Sequence, residues 1–598
     1  MKHRFILLAL FSAIIINANA QDWVTHYEQS GYNQTPRYAE TIEYCSRLAG
    51  FSPLATMVNL GKSPQGRDIP MLIIDKDGLT TPEAIRAKGR IITLIQACIH
   101  PGEPDGKDAM LVLLRDMLVN RKDKDLLEKA SILFIPILNV DGHERFGPYN
   151  RINQNGPDEM GWRTNASNLN LNRDFLKADA PEMQHFLRMY SSWLPEFFID
   201  IHTTDGADYQ YALTYDIEVF GTLDSGLTRW LNNIYEPRIK ASMKNEGFPI
   251  FPYVQFRKWH DPRSGLRTGA APPMISQGYA ALQNRPALLI ETHMLKDYKT
   301  RVDATIQMVK NTLSILNHQA DNLKTLVEMA DKSTESPAFR KQDFVLVWKT
   351  SQKDSTMVDF EGFDYEVLKS DLTGGDWFIY NNKKPVTMKL PFFNITEPSL
   401  TTRLPEAYVI PAEWQDVINR LKLHGIRYYV LHEEVTIEAK SYTFKDYEFR
   451  KNPNEGRHMV TTSVEEISEN RTFYPGSAIV PVNQRTARVI AGILEPQAPG
   501  SFVEWGFFNA VFEQKEYSET YVMETMAREM MAKDPALKTE FENLKKNDES
   551  FSASQWNMLN WFYRQTPYWD NHFLKYPVVK VFDQAVINQL RKVSSAAE

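Results

Sequence analysis

Cysteine is nearly absent: 598 residues contain only Cys45 and Cys98. That excludes a disulfide scaffold and any zinc site of the four-cysteine type, so a resident metal would need histidine and carboxylate ligands. One disulfide between the two stays open as an alternative, but Cys98 lies in an apolar run that reads as a buried strand, and both read as small core residues. A basic excess is missing as well. Lys and Arg number 68 against 75 Asp and Glu, a formal charge of -7, which leaves no broad cationic surface for a polynucleotide. Nucleic acid is not an expected partner. Gly (28) and Pro (33) sit near average usage in a chain that is 43% hydrophobic, so collagen-like, low-complexity and mainly disordered classes fall away. No repeat recurs at periods of about 20–50 residues, which removes solenoids and propellers.

Long apolar runs are also lacking. The most extended, Phe5 to Ile16, has twelve residues, short of the roughly twenty that span a bilayer. Lys2 and Arg4 precede it, and Ala18-Asn19-Ala20 follow with small residues for cleavage, the pattern of a secretory signal. The chain is therefore expected to be exported, secreted or periplasmic, with no membrane span and a mature start near Gln21.

What remains is long enough for two to four domains at about 150 residues each. From Met71 onward, short apolar runs (Met71–Ile74, Ile91–Ile99, Ile132–Leu138, Phe197–Ile201, Ala287–Ile290) alternate with amphipathic stretches such as Asp108–Leu118 and Pro181–Trp193. Such runs suit strands buried on both faces, and the alternation predicts an α/β fold. The pattern breaks at Thr334–Arg340. Beyond it Phe344–Trp348, Met357–Tyr365, Trp377–Tyr380 and Pro385–Leu390 read as strands, Glu413–Leu423 as a helix, and the chain turns helix-rich from Tyr517. The expected organisation is a signal over 1–20, a catalytic domain over 21–335 and a C-terminal accessory region over 336–598, β-rich and then helical. Dense aromatic residues near the end (Trp556, Trp561, Phe562, Tyr563, Tyr568, Trp569) read as packing ahead of a carbohydrate-stacking platform.

Chemistry concentrates at strand ends, where open α/β sheets place their ligand sites. His100-Pro101-Gly102-Glu103 follows one apolar run, and His202 closes Phe197–His202. Glu291 closes Ala287–Glu291. Two histidines and two glutamates suit metal-assisted hydrolysis: three residues hold one zinc ion, and the fourth takes and returns a proton. His100, Glu103 and His202 are the candidate ligands, with Glu291 the base. The zinc-protease pattern of two histidines four apart with Glu between is missing at both His143-Glu144 and His432-Glu433.

These residues resemble the carboxypeptidase A-like zinc metallocarboxypeptidases over roughly residues 40–315. The resemblance implies a mixed sheet flanked by helices, with His100, Glu103 and His202 on one Zn2+, Glu291 as general base and Arg163 stabilising the oxyanion. It also implies Asn172 and Arg173 as the pair that holds the substrate's terminal carboxylate; a guanidinium fork suits that group. Two departures stand out. Asn170 replaces the Asp that often orients a zinc-bound histidine, and the active-site tyrosine is assigned to Tyr279, only twelve residues before Glu291, with Tyr253 and Tyr298 as weaker candidates. His293 is expected to support or line the cleft, Asp205 and Asp208 to shape it, with a turn role beside Gly206 the commoner reading for such an Asp, and His143 to make surface or local hydrogen bonds. The implied activity is hydrolysis of C-terminal peptide bonds, with peptide or protein C-termini as substrate. Alternatives are an amidase or peptidase acting on cell-wall peptides, or an inactive binding protein on the same fold.

Overall fold

Strands without a polar face have no side to turn to water, so they must lie between covering layers. The structure, a computed structural model, describes residues 23–597; the signal expected over 1–20 lies outside them. The first half contributes β1 (Ala55–Lys62), β2 (Asp68–Ile74), β3 (Ile91–Gln96), β4 (Ala130–Ile135), β5 (Phe197–Thr204), β6 (Leu213–Asp216), β7 (Phe251–Pro252), β8 (Gln255–Lys258), β9 (Asp261–Arg267) and β10 (Ala287–His293). Eight of these form one mixed sheet in the order β1-β2-β4-β3-β5-β10-β6-β7. At its centre β4, β3, β5 and β10 run parallel, and every residue of β3, β4 and β5 is buried. Helices Asp105–Leu118, Pro181–Trp193 and Tyr298–Glu335 accompany the sheet. Pro181 opens the second of them at a first-turn position, where its missing N–H is not needed. Among the described residues no helix is long and apolar enough to cross a membrane.

The run Ile91–Ile99 does not stay in the sheet to its end. The strand stops at Gln96, and Cys98 adopts φ +53°, a left-handed conformation that L residues seldom take. This bend carries His100 off the strand end. Both cysteines are free and fully buried, and burial pushes each thiol up to about 12. They are core residues and form no disulfide.

The helix Tyr298–Glu335 is followed by a short helix, Pro337–Lys341, then by β11 (Asp343–Thr350), β12 (Thr356–Lys369), β13 (Asp376–Phe393) and β14 (Thr396–Arg403). The two short strands read at Trp377–Tyr380 and Pro385–Leu390 are parts of the single strand β13. A four-stranded sheet, β12-β13-β9-β8, crosses the halves: Phe392 and Phe393 of β13 pair with Leu266 and Arg267 of β9. A seven-stranded sheet follows, running in sequence from Ala407–Ile410 to Ser594–Ala596. One apolar core joins Leu94 of β3, Tyr279, Val480 and Ile490, so the second half shares the interior of the first. The late helices form a smaller core of their own around Met523, Leu559, Phe562 and Tyr563, while Trp556 and Tyr568 are exposed.

Candidate active site and metal centre

His100, Glu103 and His202 are buried, and their ligand atoms lie within 4.8 Å of one another. The sheet explains the convergence. β3 and β5 are parallel neighbours, so the turn after β3 and the end of β5 reach the same edge. The Nδ1 atoms of His100 and His202 lie 3.2 Å apart, and each faces Glu103 Oε2, at 3.4 and 3.0 Å. The far nitrogens are engaged: His100 Nε2–H donates to Asn170 Oδ1 at 2.8 Å, and His202 Nε2–H donates to Asp200 Oδ2 at 2.8 Å. With both Nε2 atoms engaged outward, the two Nδ1 atoms and the Glu103 carboxylate point at one spot, a donor set that suits zinc once the metal displaces the Nδ1 proton of His202.

The electrostatics follow from burial among these partners. Burial pushes His100 down to about 4. Burial also opposes charge on His202, but Asp200 and Glu103 outweigh it and hold that imidazole well above its usual range. Burial opposes charge on Glu103 too, yet Arg151 and the two histidines keep its carboxyl well below normal. Glu103 Oε1 takes Arg151 at 2.8 Å and Arg163 at 3.3 Å, and its Oε2 accepts the Thr203 N–H at 3.0 Å.

These groups open onto a cleft of about 530 Å³ that also receives Glu291, Asn172, Arg173, Asp205, Tyr253 and Arg267. Glu291 of β10 stands in register beside His202 of β5. Burial pushes its carboxyl up to about 8, the range in which a carboxylate can take and release a proton near neutrality. Arg163 remains partly exposed, and Asn139 Nδ2 ties its backbone carbonyl to that of Ile99, each at 3.4 Å. Asn172 Nδ2 sits 3.4 Å from His202 Nε2, and Arg173 is held by its own Nη1 donating to the Asn172 carbonyl at 2.6 Å.

Tyr279 requires a correction. It is completely buried, its hydroxyl engages His424 Nδ1 at 3.0 Å and accepts from Gln283 at 2.7 Å, and its ring packs against Phe175 and Tyr190. It lies on a helix behind the sheet edge, in the core shared with the second half, and does not reach the cleft. Tyr253 is the tyrosine that lines it. Tyr298 is buried and donates to Asp108. His293 also turns away: it stacks on Tyr209 at 4.1 Å and bonds Asp208 at 3.1 Å. His143 is fully buried beside Lys107 and Glu144.

Two polar residues at the centre escaped the sequence reading. Asp200 was legible in principle, as a carboxylate inside an apolar strand, two residues and therefore one face before His202. Arg151 carries no local signal; it reaches Glu103 past Gly102, where a Cβ would come within 2.8 Å of Arg151 Cδ. The second half also touches the site. Glu455 Oε2 accepts the Asn170 N–H at 2.7 Å, and Arg457 and Arg420 grip Asp179 at 2.6 and 2.9 Å.

Residues 41–245 match the profile of the family described as zinc carboxypeptidase. A carboxypeptidase 2 of Trichophyton rubrum is 25% identical over 494 residues, covering 79% of this chain and 84% of that protein. The carboxypeptidase 2 of Trichophyton equinum is 24% identical over 501 residues, with coverages of 79% and 84%. Among solved structures, carboxypeptidase A of Helicoverpa armigera aligns at 17% identity over 48% of this chain and 74% of its own, with a TM-score of 0.36. A metallo-carboxypeptidase of Pseudomonas aeruginosa aligns at 20% identity over 48% and 69%, with a TM-score of 0.35. The matched span, residues 41–245, contains all three converging ligands, and it is this part of the chain that is similar to a zinc carboxypeptidase domain.

Proposed function

We propose that this protein is an exported, zinc-dependent carboxypeptidase that hydrolyses the terminal peptide bond of peptides or proteins. The observation that carries the reading is the joint placement of His100, Glu103 and His202 within 4.8 Å of one another, in a cleft shared with Glu291, Asn172 and Arg173. One zinc ion, held by the first three, supplies Lewis-acid chemistry, polarising a carbonyl and acidifying water.

The chain's own groups divide the rest of the work. Glu291 takes the proton from the attacking water and returns it to the leaving amine. Arg163 donates toward the oxygen that becomes negative when the carbonyl carbon turns tetrahedral, where preorganised charge counts most. Arg173, with Asn172, receives the substrate's terminal carboxylate and so selects the end of a chain over its middle. Asp200 and Asn170 hold the two imidazoles in the tautomer that leaves Nδ1 free. Export rests on the apolar leader, which places the enzyme among extracellular or periplasmic peptides.

The test is to compare peptides with free and amidated C-termini. Free acids should be cut far faster. Equal rates on both would remove the role given to Asn172 and Arg173 and favour an amidase acting on internal or non-protein amides.

A further inference from the structure

A cavity of about 340 Å³ lies where the two halves of the chain meet, within the range of about 300–1,000 Å³ usual for small-molecule sites. Its walls come from the segment 271–273 of the first half, from the segment 344–348 of β11 and from the helix Ala487–Leu494. Phe339, Phe344 and Leu346 make the lining largely apolar. Ala270, Ala271, Pro272 and Trp348 border the catalytic cleft as well, so one short wall is common to both spaces.

Set into this apolar lining is Arg488. It stands in the first turn of its helix, where the helix dipole disfavours a positive charge. Among the described residues its guanidinium makes one hydrogen bond, from Nη1 to the Thr222 carbonyl at 3.2 Å, and it lies 5.0 Å from the centre of the Phe339 ring. Nε is shut off from water and has no acceptor. Asp224 is the carboxylate that favours the charge, but it is not in ion-pair contact, and its Oδ1 accepts the Gly226 N–H at 2.8 Å. Asp343, which also lines the cavity, pairs with Arg403 at 2.8 Å. Burial pushes the Arg488 guanidinium from its ordinary value down to about 10. Other buried arginines of the chain have what Arg488 lacks: Asp75 holds Arg90 at 2.9 Å, Asp331 holds Arg285 at 2.9 Å and Asp105 holds Arg301 at 2.8 Å. Even Arg485, one turn away, has Gln283 Oε1 at 2.6 Å.

A charge withdrawn from water without a partner is unfavourable, and an anion that supplies the partner recovers that loss. With Nη1 on Thr222, the edge formed by Nε and Nη2 remains, and a carboxylate suits such an edge with two parallel N–H bonds. The apolar walls define the rest of the ligand. We propose that this cavity is a binding site, separate from the catalytic cleft, for a small monocarboxylate with an apolar or aromatic body, its carboxylate on Arg488 and its body against Phe339, Phe344 and Leu346. Such binding involves no turnover, so it stands or falls apart from the peptidase reading.

The experiment is calorimetric titration of the zinc-loaded full chain with 4-phenylbutyrate and with its neutral amide. The acid should bind, and the amide should bind at least about 10-fold more weakly, the worth of a hydrogen bond to a charged group. Arg488→Gln should weaken the acid by a similar factor. Arg173→Gln, which alters the carboxylate holder of the cleft, should leave that binding in place. Circular dichroism checks the fold; should R488Q unfold, Arg488→Lys keeps the charge without the fork and should still weaken the acid several-fold. Acid binding that is absent from the parent, or kept within about twofold by whichever Arg488 variant stays folded, overturns the site. Loss of acid binding in R173Q assigns the probe to the catalytic cleft and overturns it as well.

Discussion

Replacing Asp200 by Asn should loosen zinc more than any other single change behind the ligands. Asp200 Oδ2 accepts the His202 Nε2–H at 2.8 Å, and its Oδ1 accepts Gln96 Nε2 at 2.9 Å. Burial opposes its charge, but His202 outweighs this and keeps the carboxyl below its usual range. An asparagine has one oxygen for two donors, so its amide nitrogen would face either the His202 N–H or the Gln96 amide, donor against donor. His202 would lose a charge-assisted bond or its fixed ring orientation. Such outer partners tune metal affinity by about 10- to 100-fold, which corresponds to about 1.4–2.7 kcal/mol. The reverse change, Asn170→Asp, gives His100 the carboxylate it lacks and should tighten binding by a factor of the same order. Competition with a zinc-chelating dye measures both, with circular dichroism as the check on folding. If D200N keeps its fold and binds zinc within about twofold of the parent, Asp200 is not tuning the metal.

Glu291→Gln should lower peptide turnover by about 100- to 10,000-fold with zinc content unchanged; a nearly normal rate would exclude Glu291 as the base. Glu182 is fully buried at the start of the helix Pro181–Trp193, with Asn165 Nδ2 at 3.3 Å from each oxygen, and burial pushes its carboxyl from the usual 4.5 up to about 7. The folded state then holds this proton more tightly than the unfolded chain, so the contribution is fully present below about pH 4.5 and lost as pH rises through about 7, by at most about 3 kcal/mol. Denaturant unfolding of Glu182→Gln against pH should show that part of the slope gone; an identical slope would refute the assignment. Truncation after residue 335 removes His424, Val480 and Ile490 from a shared core, and should abolish cooperative unfolding and near-UV dichroism. A soluble fragment that unfolds cooperatively would show the halves to be independent.

The convergence of His100, Glu103 and His202 could be read from the sequence because a parallel sheet sends strand ends to one edge: apolar runs followed by polar residues reach it at His100, at His202 and, on a third strand, at Glu291. The central strands were legible for the same reason, since runs such as Ile91–Gln96 have no wet face. Tyr279 misled because distance along the chain says nothing about side-chain direction on a seven-residue helix; its hydroxyl is satisfied by His424, a residue 145 positions away. Arg151 was invisible because its meaning comes from what it pairs with in space. The same holds for the union of β9 with β13, which two short registers express and no local pattern announces.

The Glu455–Asn170 hydrogen bond spans 285 positions of chain, so a residue made late in synthesis fastens a segment made early. Ribosomes emit the ligands, Arg163 and Arg173 early, and domains generally fold as they emerge. Here the segment bearing Asn170 and Arg173 stays without its last fastening until Glu455, Arg420 and Arg457 have been made. A chain that ended before Glu455 would thus carry every reacting group and still lack this hydrogen bond to the segment that bears Asn170.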